Sequence, residues 1–181
     1  MSLAHALLTS LSEQPASGYD LARRFDKSIG FYWHATHQQI YRELARMLEK
    51  KWISQKTIPQ NARPTKNVYA ILEAGRRELK RWAMEESVPI ELREDMFVKL
   101  RADAACGPFG LQNELERRLE IHSSRLAYYL ETEKRDFPKP ENLPREARLQ
   151  HLILRAGIIF EMGNVSWCKE ALAVLKDVDS K

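Results

Sequence analysis

The chain has 181 residues, 44% of them apolar and 30% charged, and a formal net charge of +4. This balance suits one globular domain or two small ones, and it excludes wholesale disorder, a collagen-like repeat and a disulfide miniprotein. At a mean hydropathy of −0.50, no run approaches the roughly 20 apolar residues of a bilayer-spanning helix, because the longest, Leu152 to Gly163, is broken by Arg155 and Glu161.

In chain order, Ser2 is placed to cap a first helix with Leu3, Leu7, Leu8 and Leu11 on one face. Pro15 and Gly18 interrupt the chain, and Ser17 with Asp20 forms a capping-box pattern for a second helix carrying Leu21, Phe25 and Ile29 inward. After the aromatic linker Gly30-Phe31-Tyr32-Trp33, Thr36 and Gln39 repeat that pattern. The third helix they open sets Ile40, Leu44, Met47 and Leu48 in one stripe and ends near Lys50 or Lys51. Trp52 to Ile58 and Lys66 to Ile71 are β-prone runs around the turn-rich Pro59 to Pro64. A fourth helix runs from Glu73 to about Met84. Three helices and a two-stranded β-hairpin wing outline a winged helix-turn-helix.

The remainder reads as helix throughout, so the expected fold class is mainly α. The expected division is a head at residues 1–86 and an all-α dimerisation domain at 87–181. Glu91 to Ala105 is amphipathic and stops at Gly107-Pro108. Leu111, Leu115, Leu119, His122, Leu126 and Tyr129 step by three or four residues, close to a heptad seam. Pro138 to Pro144 reads as a loop. A last helix from about Arg145 to Val178 carries Leu149, Leu152, Ile153, Ala156, Phe160, Gly163, Trp167, Ala171 and Val174 along one side. Such stripes exceed what one small domain covers internally, so a second copy of the chain is the expected partner, with an intramolecular hairpin as the rival.

Charge is unevenly divided. Residues 1–82 hold 14 Lys and Arg against 7 Asp and Glu, a net +7, and residues 83–181 carry a net −3. A basic first half points to a polyanionic partner.

The order Gly18-Tyr19-Asp20-Leu21, Gln39-Ile40-Tyr41-Arg42-Glu43-Leu44, Lys66-Asn67-Val68-Tyr69 and Glu73-Ala74-Gly75-Arg76 resembles the PadR-type transcriptional regulators. The long tail is similar to their virulence-activator-like branch. The resemblance implies a DNA-binding winged helix, a helical dimerisation region and, by default, repression. It departs from the family pattern at Gln38, where many members have Gly, and at Leu72, where many have a capping Thr.

Helical projection puts Gln38, Arg42, Ala45, Arg46 and Glu49 opposite the apolar stripe of the third helix, which makes Gln38 and Arg42 the expected base readers. Gln39 is a candidate phosphate ligand, and Thr36 is first a cap. Tyr41 is either a phosphate contact or a half-buried aromatic. Tyr19 either reaches the DNA backbone or packs on the third helix. His37 is expected on the packed side. Arg63 and Lys66, with Lys56 across the hairpin, form a basic wing. Leu111, Leu115, Leu119, Leu126, Leu152, Ile153, Phe160 and Trp167 are the expected dimer contacts. Tyr128, Phe160 and Trp167 either line a pocket for a small aromatic effector or simply pack.

Catalytic patterns are missing from the sequence. His34 and His37 have ligand spacing, but the Thr36 cap leaves His34 outside the helix and no third ligand stands nearby. Nucleophile-elbow, phosphate-loop and zinc-protease motifs do not occur. Cys106 and Cys168 are far apart, and the start lacks the basic segment of a secretory signal, so a reduced, cytoplasmic protein without cofactor or metal is expected. An adaptor with the same winged helix that binds an acidic protein surface, not DNA, is the alternative.

Overall fold

The computed structural model describes residues 3–27, 35–60, 63–89 and 91–178. The expected Ser2 cap, Ile29, the aromatic linker and His34 lie outside them, as do the side chains of Phe25, Arg63 and Pro64. The chain divides into two compact units, Met1–Ile90 and Glu91–Lys181.

In the first unit, α1 (Leu3–Glu13) leads through β1 (Ala16–Ser17) into α2 (Gly18–Lys27), followed by α3 (His37–Glu49), β2 (Ile53–Gln60), β3 (Arg63–Ile71) and α4 (Glu73–Ala83). Each amphipathic stripe read from the sequence converges on one core. Leu7, Leu8 and Leu11 of α1 meet Leu21 and Ala22 of α2, Ile40, Leu44 and Met47 of α3, Ile53 of β2 and Tyr69 of β3. Burying an aliphatic side chain of this kind stabilises by about 1.5–3 kcal/mol, so this cluster dominates the stability of the unit.

The sheet is three-stranded and antiparallel in the order β1-β3-β2, with Ala16 opposite Tyr69 and Ser17 opposite Val68. The two-residue β1 was missed because two residues carry no periodicity. The hairpin is also longer than expected. Pairing runs from Ile53–Ile71 to Ile58–Lys66, slips in register, and resumes at Gln60–Arg63. The slip falls beside Pro59 and Pro64, which lack the N–H that a regular ladder requires.

Two backbone details fix the elements around the hairpin. Helix α3 closes through the bonds Trp52 N–H to Met47 O (3.0 Å) and Lys51 N–H to Leu48 O (2.9 Å), a Schellman arrangement with Lys51 at φ 54°. Gly75 of α4 lies against the hairpin so closely that a Cβ there would stand 2.3 Å from the Trp52 carbonyl oxygen. As expected from Leu72, no side chain caps α4.

The second unit holds α5 (Asp95–Cys106), α6 (Gln112–Asp136), a 3-10 turn (Pro140–Asn142) and α7 (Arg145–Val178). Glu94 caps α5 by accepting from Met96 N at 2.9 Å and also meets Arg118 of α6 at 2.7 Å. Met96, Leu115 and Leu175 form a small core with Leu100, Leu111, Trp167, Ala171 and Leu172 around it. Helices α6 and α7 run antiparallel, with Tyr129 lying over Gly157. On one side of that contact Glu133 meets His151 at 2.7 Å and Arg155 at 3.5 Å, and on the other Glu161 meets His122 at 2.6 Å and Arg125 at 3.8 Å.

Of the stripe expected on α7, Trp167 and Ala171 pack in the small core, whereas its larger aliphatic and aromatic members nearer the N-terminal end do not pack on α6. Among the described side chains of that helix, Ile158, Glu161, Cys168 and Leu175 are buried, and Leu149, Leu152, Ile153, Phe160 and Val174 point into solvent. Toward the C-terminal end, Trp167 is covered by α5, with its ring edge-on to Phe97 at 5.1 Å.

Candidate nucleic-acid interface

Helix α3 is set by its first turn. Thr36 is extended at φ −74° and ψ 155° and accepts from Gln39 N–H at 3.2 Å, and Gln39 Oε1 accepts from Thr36 N–H at 2.8 Å. The capping box satisfies two otherwise orphaned donors. It also commits the Gln39 carbonyl oxygen, leaving the amide NH2 as the group able to meet a phosphate.

With Ile40, Leu44 and Met47 buried, Gln38, Arg42, Ala45, Arg46 and Glu49 are exposed. Gln38 and Arg42 are one turn apart on that outer face. Arg46 is paired with Glu43 at 3.2 Å, but Arg42 has no ion-pair partner among the described residues. His37 is exposed too, contrary to its expected place on the packed side. It stands in the first turn, before the buried stripe begins at Ile40.

Tyr41 borders Gln38 on α3 and resolves into an exposed aromatic, 47% accessible. One ring edge is held against α2, since a Cβ at Gly18 would come within 2.4 Å of Tyr41 Cε1. This close approach explains the glycine that opens α2. Tyr19, the next residue, is exposed. The phenol of buried Tyr69 is pushed above its ordinary value by desolvation and then by the nearby Tyr41.

Lys66 of β3 is engaged with Asp20 of α2 at 2.8 Å. Lys66 and then Ser17 hold the Asp20 carboxyl below its ordinary value. Lys56 is exposed on β2. The backbone of Arg63 starts β3 opposite Gln60, and its side chain is outside the described residues. Asp20 is the residue the sequence reading missed in this region. The Ser17/Asp20 pattern pointed only to a helix cap, and nothing local signals a partner 46 positions away.

The residues expected at a dimer contact fall into two groups. Leu115 is fully buried inside its own unit, with Leu111 and Trp167 packed around it, so intramolecular packing replaces the expected role of Leu115. Leu119 and Leu126 are half-buried on α6, whereas Leu152, Ile153 and Phe160 are exposed on α7. The expected trio of an effector pocket does not assemble within one chain. Trp167 packs on Phe97, Phe160 faces solvent two turns away, and Tyr128 contacts Tyr129.

A capped helix with an exposed polar face, set beside a second helix and flanked by a β-hairpin, defines a winged helix-turn-helix protein. The first unit matches the family described as "Transcriptional regulator PadR-like family" over residues 7–81, and the second matches "Virulence activator alpha C-term" over residues 92–176. The chain is 40% identical to the probable transcriptional regulator Rv1176c of Mycobacterium tuberculosis, covering 98% of this chain and 99% of that one. The structure of the Vibrio cholerae virulence activator AphA superposes with a TM-score of 0.81 at 32% identity, covering 98% and 99% of the two chains. Bacillus subtilis PadR in complex with operator DNA shares the fold, with a TM-score of 0.83 at 23% identity over 95% and 97%. The chain belongs to the PadR-like family of transcriptional regulators. Among the described residues, no helix is long and apolar enough to cross a membrane.

Proposed function

We propose that this regulator binds double-stranded DNA sequence-specifically as a homodimer in the cytoplasm, and that it represses by occupying a two-fold related operator. The observation that carries the reading is the exposed Gln38 and Arg42 pair one turn apart on a capped α3 whose other side is sealed by Ile40, Leu44 and Met47. In a major groove, Arg pairs bidentately with guanine and Gln with adenine. Tyr19, Tyr41 and the Gln39 amide flank that face as phosphate ligands, Thr36 holds the helix start, and Arg63 and Lys66 lie along the backbone as the wing.

The second copy covers the exposed Leu152, Ile153 and Phe160 of α7, since a contiguous apolar face of this kind marks an interaction surface. Two-fold symmetry then sets half-site centres about one turn of DNA, roughly 34 Å, apart. Bacillus subtilis PadR is described as a negative regulator, which supports repression. Its structure with p-coumaric acid supports a small aromatic effector here, at a site that a partner subunit would have to enclose around Tyr128 and Phe160.

Selecting bound duplexes from a random pool tests the reading. The parent protein should recover a two-fold symmetric site. Arg42→Ala should bind that site about fivefold or more weakly and relax the preference at one base pair in each half, since a bidentate contact is worth about 1–3 kcal/mol. A pool without symmetry, or an unchanged preference, refutes the assignment.

A further inference from the structure

The wing cation Lys66 is already engaged before any DNA arrives. Its Nζ stands 2.8 Å from Asp20 Oδ2, with the two side chains 38% and 42% exposed. The carboxylate is fixed, since Ser17 Oγ donates to Oδ2 at 2.7 Å and accepts from Asp20 N–H at 3.1 Å. Ser17 is itself buried and held in the sheet opposite Val68, two residues from Lys66. A phosphate approaching this point meets a neutralised ammonium and, beside it, an immobile negative charge.

From this geometry we infer that Asp20 is a specificity-determining residue, which withholds Lys66 from sequence-independent phosphate contact. The inference rests on the DNA-binding reading above. Every phosphate that a free cation neutralises adds affinity for any sequence, with a salt slope of about 0.9 per contact. Specificity grows when the wrong complex is penalised. An exposed ion pair is weak, so a phosphate delivered in register by the α3 contacts draws the Lys66 ammonium away from the fixed Asp20 carboxylate, whereas a loosely held duplex does not. The penalty falls on non-specific complexes, and the wing closes on the backbone only at a matched site.

The test is a salt series with the full-length protein and a duplex of arbitrary sequence. Asp20→Asn retains an oxygen that accepts the Ser17 bond and releases Lys66. Affinity should rise about threefold to tenfold, and the slope of log K against log salt should steepen by about one. In a Lys66→Gln background, Asp20→Asn should leave that slope unchanged, since no cation remains to be released. Thermal melting confirms that each variant is folded, and Asp20→Ser serves in the same comparison should the Asn variant fail to fold.

Equal slope changes in both backgrounds would assign the effect to net charge and overturn the inference. Weaker binding by Asp20→Asn would also overturn it, by making Asp20 a support for Lys66. If neither the parent nor Asp20→Asn retains any duplex from a random pool, the DNA-binding reading falls and the inference falls with it. If the parent binds and the slope comparison fails, the inference alone is lost.

Discussion

Helices α3 and α7 both carry a long apolar stripe, and the structure treats the two oppositely. On α3 the stripe is sealed by α1, α2 and the sheet, with Ile40, Leu44 and Met47 at 0–1% exposure. On α7 the N-terminal half of the stripe is open, and Leu152 and Phe160 are 64% and 62% exposed. The difference follows from supply. Among the described residues, the head buries side chains from six elements in one core, whereas the tail offers α7 α6 on one side and α5 near its end. A 34-residue helix is about 50 Å long at 1.5 Å per residue, more than the 12-residue α5 can cover. A closed head can present a rigid polar face, and an open tail invites a second copy.

The largest expected effect breaks or upholds that contrast directly. Leu44→Ala should destabilise the head by about 2–5 kcal/mol, read as a lower denaturant midpoint. Leu152→Ala should change the stability of dilute protein by no more than about 0.5 kcal/mol while weakening self-association in sedimentation. Comparable destabilisation from both in dilute protein would end the distinction.

A smaller effect concerns how the head is braced at low pH. Glu78 of α4 is bound by Arg81 and by His5 of α1, with contacts of 2.7 and 3.0 Å. Arg81 first and His5 second lower its carboxyl from 4.5 to about 2. A depressed carboxylate contributes stability that is fully present above the unfolded value and lost as pH falls through the folded one. Glu78→Gln should therefore flatten the decline in stability between about pH 4.5 and 2, measured by denaturant unfolding across that window. An unaltered decline would remove the pair as a brace. His5 also stacks on Trp82 at 4.6 Å, so Trp fluorescence reports on the same junction.

The smallest effect tests the helix terminus. Lys51 occupies a left-handed position, φ 54°, where glycine has no steric penalty. Lys51→Gly should raise stability by about 0.5–1 kcal/mol, seen as a modest rise in Tm.

Much of the fold was legible because it is periodic or capped. The Leu7-Leu8-Leu11 face, the Ile40-Leu44-Met47 stripe, the Thr36/Gln39 box and the span Arg145–Val178 all follow from local pattern and side-chain chemistry. The site was legible to the extent that a buried stripe dictates its opposite face, which is how Gln38 and Arg42 come to be exposed. His37 went astray because projection places a residue around a helix without showing where along it the packing begins.

The amino-acid sequence alone determined that the head is a basic winged helix built around α3 and that a helical tail follows. Such features depend on neighbours three or four residues apart, and hydrophobic spacing with capping chemistry encodes them locally. Only the tertiary structure decided that Leu115 packs inside its own unit, that Gly18 makes room for Tyr41, that Gly75 lies on the Trp52 carbonyl, and that Asp20 holds Lys66. Each of these joins residues 19 to 60 positions apart. The partner is chosen by chain topology and strand register, and no local pattern records it.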